Sequence, residues 1–361
     1  MKKLRTAIMG CGRISASYAS AFRQLEDIAQ PVCAIDIDPK KAQDFAAPFG
    51  AAYGTDFEKL QEAQPDVLHL CLPHYLHAPM AIRAMRAGMH VLTEKPVSVT
   101  LQEADRMRQV SLETGKKLGV IFQTRYEKSV VCLREMIREG RFGRILSVRS
   151  FLTWNRPYSY YEGSDWKGTW DKEGGGVLID QAIHSIDRVR HMLGSEVEWI
   201  EGSIHNHCHD RLLVEDAAEA AIRFQNGCIY SLYACNSYAD DVPIYLEFFG
   251  EKGRCGLRQD IGFYELDGGL HTILPATADP DAPPSTTPVY WGESHPKQLR
   301  DFYRNVLDDT PVSVDVEEGR RTLEIIKGIY LSSLRRERIH LPFEDVRYCG
   351  LNQVREETES L

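Results

Sequence analysis

Asp180 and His184 stand four residues apart in the stretch GGGVLIDQAIHSID, residues 174–187. On a helix, positions i and i+4 share a face, so the carboxylate and the imidazole can point at one place. Histidine titrates near neutral pH, which suits general-base work, and a secondary alcohol needs such a base when its carbon gives up a hydride. Asp187, three residues further on, can orient the ring. The three glycines leave the backbone room for close approach at the start of the helix. Residue types alone keep three readings open: an acid–base dyad, a metal site of N/O ligands built on Asp180, His184 and Asp187, or a buried polar network that only supports the fold.

A second stretch, GCGRIS at residues 10–15, follows a short apolar run and precedes a helical pattern. That context is what a dinucleotide-binding turn requires. Gly10 permits the tight turn and Gly12 lets a pyrophosphate approach the backbone of Arg13 and Ile14. The free N–H groups of the following helix then favour the anion. Ser15 takes the third glycine position, a small departure. Asp36, at the end of the next apolar run, can accept both ribose hydroxyls of NAD and would repel the 2′-phosphate of NADP. NAD is therefore the expected cofactor and NADP the less favoured one, with Arg13 and Lys40 the residues that complicate the choice.

The third stretch is HVLTEKP, residues 90–96. It places Glu94 and Lys95 at the carboxyl end of a buried strand, the edge where doubly wound sheets bind ligands. Lys95 either reaches the nicotinamide end of the cofactor, where it can donate to a substrate hydroxyl, or is a solvated cation paired with Glu94. HNHCHD, residues 205–210, is the other concentration of metal-ligating types. In a strand, His205, His207 and His209 would share one face, but no partner cluster accompanies them, and no metal is expected.

The elements that must carry these residues come in two styles. Up to about residue 124, continuous apolar runs (RTAIMG, VCAIDI, DVLHLCLP, HVLTEKP, KLGVIFQTRY) alternate with helical patterns, which predicts a parallel, doubly wound sheet of five strands. Beyond it come a helix over 129–139 and long strands, including FQNGCIYSL as a hairpin turning at Asn226-Gly227. Helices are expected over 177–193, 295–307 and 317–335. The fold class is α/β followed by α+β with a large, open, mostly antiparallel sheet, cut into domains 1–124 and 125–361. ATADPDAPPSTTP, residues 276–288, reads as a surface loop, and the polar last dozen residues as a frayed end.

Composition excludes other classes. A formal charge of −9 over 361 residues, with no basic run, argues against a nucleic-acid partner. No apolar run approaches the ~20 residues that span a bilayer. Nine scattered cysteines without a C-x-x-C pair argue against a disulfide framework. Together with a start that leads straight into the first strand, this places the protein in the cytoplasm.

GCGRIS, CLPHYLHAPMAIRAMRAGMHVLTEKPVSVT, GTWDKEGGGVLIDQAIHSIDRVRHMLG and the stretch from His295 to Ser333, taken in this order, resemble the glucose-fructose oxidoreductase / inositol dehydrogenase / rhizopine-catabolism (Gfo/Idh/MocA) family over nearly the whole chain. The resemblance implies a Rossmann domain, a nicotinamide cofactor and a sugar, glycoside, sugar derivative or cyclitol substrate lying between domains. It also implies a homodimer or homotetramer formed through the second sheet. By the same resemblance Lys95 contacts substrate and nicotinamide, Asp180 orients the reacting hydroxyl and His184 is the acid–base. Leu72, Pro73 and His77 border the nicotinamide ribose, and Gln123 and Arg125 lie beside the substrate. Asp187 becomes support for the helix. The aromatic stretch TWNRPYSYYEGSDWKGTW adds Trp154, Arg156 and Trp166 as substrate-side residues, since aromatic faces suit the C–H faces of a sugar. Ala182 stands where many relatives have glycine, which makes the pocket floor fuller. Two alternatives to a net dehydrogenase are a redox-neutral enzyme that cleaves glycosides by oxidation and elimination, and a silent sugar sensor; the retained lysine and histidine argue against the second.

Overall fold

The computed structural model describes residues 3–274, 294–351 and 353–354. Two stretches read from the sequence, the loop over 276–288 and most of the polar tail from 355 on, lie outside the described residues. The chain forms two compact units, Met1–Gln123 with Pro283–Arg320, and Thr124–Ala282 with Arg321–Leu361.

The first unit is built on β1 (Leu4–Met9), α1 (Ser15–Gln24), β2 (Ala29–Ile35), α2 (Pro39–Ala46), β3 (Ala52–Gly54), α3 (Glu58–Ala63), β4 (Val67–Leu70), α4 (His77–Arg86), β5 (His90–Thr93), α5 (Leu101–Thr114) and β6 (Leu118–Val120). The strands form one sheet in the order β3-β2-β1-β4-β5-β6, and every pairing is parallel. β4 is buried along its whole length, as a strand covered on both faces must be. The sheet has six strands where five are expected. The additional one, β3, is three residues long, mostly exposed and at the sheet edge, so it carries no apolar signal. α5 starts on a reciprocal capping box of Thr100 and Glu103.

The helix His295–Leu307 belongs with the first unit. Its Leu299, Phe302 and Tyr303 join Tyr18 and Phe22 of α1, Ile8 and Leu92 in a single core. Burying that stripe of a helix remote in sequence is what makes the unit discontinuous.

The second unit contains α6 (Lys128–Arg138), β7 (Ile145–Thr153), α7 (Tyr158–Tyr161), α8 (Ile183–Leu193), β8 (Val197–His205), β9 (Ala217–Phe224), β10 (Ile229–Cys235), β11 (Tyr245–Gly250), β12 (Gly253–Arg258), β13 (Ile261–Leu266), β14 (Gly269–Ile273) and β15 (Ile339–His340). Its nine-stranded sheet runs β14-β13-β12-β11-β7-β10-β9-β8-β15. Only β7 and β10 pair in parallel. β9 and β10 form the hairpin at Asn226-Gly227, where Gly227 has φ +90°. One face of the sheet packs on helices. Ser332 and Ser333 of the helix Val316–Arg335 accept from the backbone N–H groups of Gly202 and Ile204 at 3.0 and 3.1 Å.

Candidate active site

In the first unit, the candidate residues lie on loops at the carboxyl edge of the parallel sheet. Gly10 is held at φ +96°, and a Cβ there would lie 2.2 Å from the Cys71 carbonyl oxygen, so the turn after β1 accepts only glycine. Gly12 has nothing within 4 Å of its would-be Cβ, which leaves open space beside the backbone. No side chain caps α1. The N–H groups of Ser15 and Ser17 are turned in to the carbonyls of Gly12 and Ile14 at 3.1 and 3.0 Å, and the positive end of the helix dipole still favours an anion there. Asp36 is anchored rather than loose: Oδ2 accepts from Cys11 N at 2.7 Å and Oδ1 from Asp38 N at 2.9 Å. A closed turn, an open approach at Gly12, an uncapped helix and a fixed carboxylate together fit a dinucleotide. Arg13 is exposed and Ile14 half-buried on the same loop.

The Glu94–Pro96 turn is tied to that loop through α1. Tyr18, four residues beyond Ile14, donates from its hydroxyl to Glu94 Oε1 at 2.9 Å, and His295 Nε2 lies 3.7 Å from the same oxygen. Burial would raise the Glu94 carboxyl; His295, Lys95 and Tyr18 outweigh it and hold the group below the usual carboxylate range. Glu94 is thus a buried anchor next to the half-exposed Lys95. His77 is fully buried, with Nδ1 2.7 Å from the Pro96 carbonyl and Nε2 2.9 Å from the Leu72 carbonyl. Burial lowers its pKa against the pull of the two carbonyls, and the neutral ring has one N–H to share between them. It fastens the turn to the end of β4, while Leu72 and Pro73 remain half-exposed.

In the second unit the expected continuous helix over 177–193 is broken in type. Leu178–Ala182 is a π-helical turn, followed by α8. Such wide turns are uncommon and gather at functional sites. Asp180 sits inside the π turn and His184 in the first turn of α8; both are half-buried. Asp180 Oδ2 accepts from the Tyr160 hydroxyl at 2.7 Å and from Lys167 Nζ at 3.1 Å. Lys167 also reaches the Tyr160 hydroxyl at 3.1 Å and Glu173 Oε1 at 3.5 Å. Its ammonium lies 4.4 Å from the ring centre of Tyr160 and 4.7 Å from that of Trp166. Burial would depress the lysine; Asp180 and Glu173 outweigh it and hold the ammonium above its ordinary value. Burial pushes Glu173 up to about 8 despite Lys167 beside it. Tyr160 and Lys167 are side chains that the sequence does not single out. The aromatic stretch is visible in it, but nothing in its spacing distinguishes these two from Trp154 and Arg156.

Two of the three glycines are required by contacts within the protein. A Cβ on Gly175 would lie 2.0 Å from the Tyr330 hydroxyl, and one on Gly176 would lie 1.9 Å from the Glu215 carbonyl oxygen. The space is filled by protein. The Glu215 carboxylate accepts from Gly176 N at 2.8 Å, Leu178 N at 3.1 Å and the Tyr330 hydroxyl at 2.8 Å. It caps the start of the helical segment, and burial pushes it up to about 7 against those bonds.

Several other expected site residues are buried, and most of them are paired within the protein. Arg125 is buried and forms a two-pronged pair with Asp187, at 2.8 and 2.6 Å, to which the Thr322 hydroxyl adds a bond at 3.0 Å. Asp187 therefore supports the helix through Arg125. Gln123 is buried. Trp154 is buried and donates from its ring nitrogen to the Val242 carbonyl at 3.1 Å. Arg156 is buried, pairs with Asp241 at 3.0 Å and stacks over Trp154 and Tyr160. Trp166 is half-exposed beside the Lys167–Asp180 cluster. In HNHCHD the strand ends at His205, which pairs with Glu219 at 2.8 Å. Asp216 caps the turn that follows, accepting from the N–H groups of His207, Cys208 and His209. His209 is buried between Asp216 and the Arg156 carbonyl. The expected shared strand face therefore does not form. Among the described residues no group of three or more His, Cys, Asp or Glu side chains could hold a metal ion. Nor is any helix among them long and apolar enough to cross a membrane.

Comparison with known proteins agrees with this architecture. Residues 4–122 match the family model for an oxidoreductase family with an NAD-binding Rossmann fold, and residues 130–255 match the GFO/IDH/MocA C-terminal domain. The D-glucoside 3-dehydrogenase of Escherichia coli is 26% identical, over 94% of this chain and 97% of its own length. The myo-inositol 2-dehydrogenase of Thermotoga maritima is 25% identical over 89% and 93%. Among solved structures, the WlbA dehydrogenase of Bordetella pertussis, in complex with NADH and UDP-GlcNAcA, superposes with a TM-score of 0.81 at 28% identity, covering 95% of this chain and 100% of that one. The chain belongs to the Gfo/Idh/MocA family of oxidoreductases, and its first unit is the family's NAD-binding domain.

Proposed function

We propose that the protein is an NAD-linked dehydrogenase that oxidises a secondary hydroxyl of a sugar, glycoside, sugar derivative or cyclitol. The observation that carries this reading is the Asp180 carboxylate, held by Tyr160 and Lys167 and lying four residues before His184. The similarity to a glucoside dehydrogenase and an inositol dehydrogenase supports the substrate class. When bound, NAD supplies the acceptor for the hydride that leaves the carbinol carbon. Gly10, Gly12 and Asp36 hold the cofactor. Asp180 accepts from a substrate hydroxyl and orients it. His184 takes the proton of the reacting hydroxyl, and Lys95 donates to the same oxygen. Orientation and proton removal are separate tasks, which is why a carboxylate and an imidazole are both needed.

The test is to follow NADH absorbance over a panel of pyranoses, glycosides, sugar acids and inositols, with the wild type, His184→Ala and Lys95→Ala. Each variant is expected to lose turnover by a factor of about 100 to 10,000 and to keep its NAD affinity. Near-normal turnover in either variant overturns that residue's role. Product without net NADH identifies the redox-neutral, glycoside-cleaving alternative.

The protein is further proposed to self-associate through the outer face of the nine-stranded sheet. Phe151 and Phe249 are 45% and 51% exposed there. Around them Arg149, Glu247, Arg254 and Glu265 form a chain of ion pairs at 2.5–3.0 Å. A face with apolar groups and both signs of charge can pair with its own copy.

A further inference from the structure

We infer that Lys167 and Tyr160 are positioning residues for the proposed oxidation: they hold Asp180 ionised and in one orientation, so that it accepts a hydrogen bond from the substrate. This rests on the functional reading above, and it assigns a task to two residues outside the Lys95, Asp180, His184 set.

The geometry is a triangle closed on one oxygen. Tyr160 and Lys167 both reach Asp180 Oδ2, and they also reach each other. Oδ2 is thereby held by two donors, which fixes the orientation of the carboxylate. The side chains of Lys167 and Asp180 are only 16% and 13% exposed. An ion pair in such a place is weakly screened, and removing its cation strands a carboxylate in a poor solvent. The rings of Tyr160 and Trp166 flank the ammonium and limit where it can go.

Other charged and titratable groups face the pair, and one of them, the Arg156 guanidinium, stands 5.5 Å from the Tyr160 ring centre. Glu173 competes for Lys167 at 3.5 Å, against 3.1 Å for Asp180. Tyr161 and, beyond Glu173, Glu215 face the same cluster. His184 follows on the next turn. Burial raises the Glu173 carboxyl, and the shorter distance gives Asp180 first claim on the lysine. Tyr160 is half-buried beside Asp180, and desolvation and that carboxylate push its hydroxyl above the usual range, so it acts as a donor.

The experiment is the pH profile of kcat/KM from pH 5 to 10 for the wild type, Lys167→Met, Lys167→Arg and Tyr160→Phe, with NAD affinity and thermal midpoint measured on each as a check of folding. A carboxylate that loses an adjacent cation titrates higher, so in Lys167→Met the acid limb is expected to rise by about 1–2 pH units. For a carboxyl lifted from about 4 to about 5–6, activity falls by roughly 2- to 10-fold near pH 5 and recovers above about pH 7. Lys167→Arg keeps the cation and should hold the limb within about half a unit. Tyr160→Phe removes one bond and should raise it by less than Lys167→Met. A drop of equal size at every pH, or an unmoved limb, overturns the inference. If Lys167→Met does not fold, Tyr160→Phe carries the test, and an unmoved limb there overturns it. A carboxyl-carbon NMR titration of labelled aspartate, with Asp180 assigned through Asp180→Asn, measures the same shift without substrate. A wild type that oxidises no alcohol sinks the functional reading, while an Asp180 pKa unmoved by Lys167→Met sinks the inference, whatever the substrate.

Discussion

Glu94, Arg125 and Arg156 each carry a charge that composition and position make a candidate for a ligand, and each is spent inside the protein. Glu94 is held by Tyr18, Arg125 by Asp187, and Arg156 by Asp241. A buried charge must find a partner, and a partner distant in sequence is invisible to motif spacing. The reverse holds for Tyr160 and Lys167, which by sequence belong to an aromatic loop and in the fold are the immediate partners of Asp180. Tyr18 is the simplest test at this scale, because it links the glycine-loop helix to the turn carrying Lys95. Tyr18→Phe leaves a buried carboxylate short of one bond, a cost of about 1–3 kcal/mol. The thermal midpoint should fall by roughly 3–10 °C. An unchanged midpoint in differential scanning calorimetry would mean that His295 alone suffices for Glu94.

The segment 174–193 makes the same point for an element. Its apolar periodicity predicts an α-helix opened by flexible glycines, and the helix is there from Ile183 on. What periodicity does not specify is the π turn at Leu178–Ala182, whose extra residue per turn changes where Asp180 points without changing the apolar pattern. The glycines are required by contact: Gly176 lies against the Glu215 backbone and Gly175 against Tyr330. Gly176→Ala must move backbone and should cost at least about 1–3 kcal/mol by overpacking. Gly194→Ala is the control. Its φ is +58° with nothing within 4 Å, so it carries only the left-handed penalty of about 1–2 kcal/mol. In chemical denaturation, a loss for Gly176→Ala no larger than the control would show that the segment can shift. Substrate turnover should fall further in Gly176→Ala, because Asp180 lies in the turn that would move.

For the molecule as a whole, the sheet's outer face is the feature with consequences. Alternation along β7 puts Val148 and Leu152 inside and Arg149 and Phe151 outside, so the strand pattern itself announces a second, partly apolar surface. If that face joins copies of the chain, Phe249→Glu sets like charge beside Glu247 in each copy. Light scattering should then report a shift to the monomer, with NAD affinity retained. An unchanged mass would remove the sheet from the interface. The discontinuity of the first unit belongs to this scale too. The helix His295–Leu307 is legible as an amphipathic helix, but its destination is not, because an apolar stripe records that a partner exists and not which one.

Local chemistry is therefore written in the chain. Gly10 is demanded by a positive φ at a tight turn, Asp36 by a position at the end of β2, and the alternation of apolar runs and helical patterns by a parallel sheet. Each follows from neighbours within about a turn or a strand, where the physics depends on residue type and spacing. Tertiary structure alone decided which polar groups meet. It brought Lys167 and Tyr160 to Asp180, Glu215 to the glycines, Arg125 to Asp187 and Tyr18 to Glu94. Those pairings follow from the burial of charges, and burial is a property of the packed chain rather than of any stretch within it.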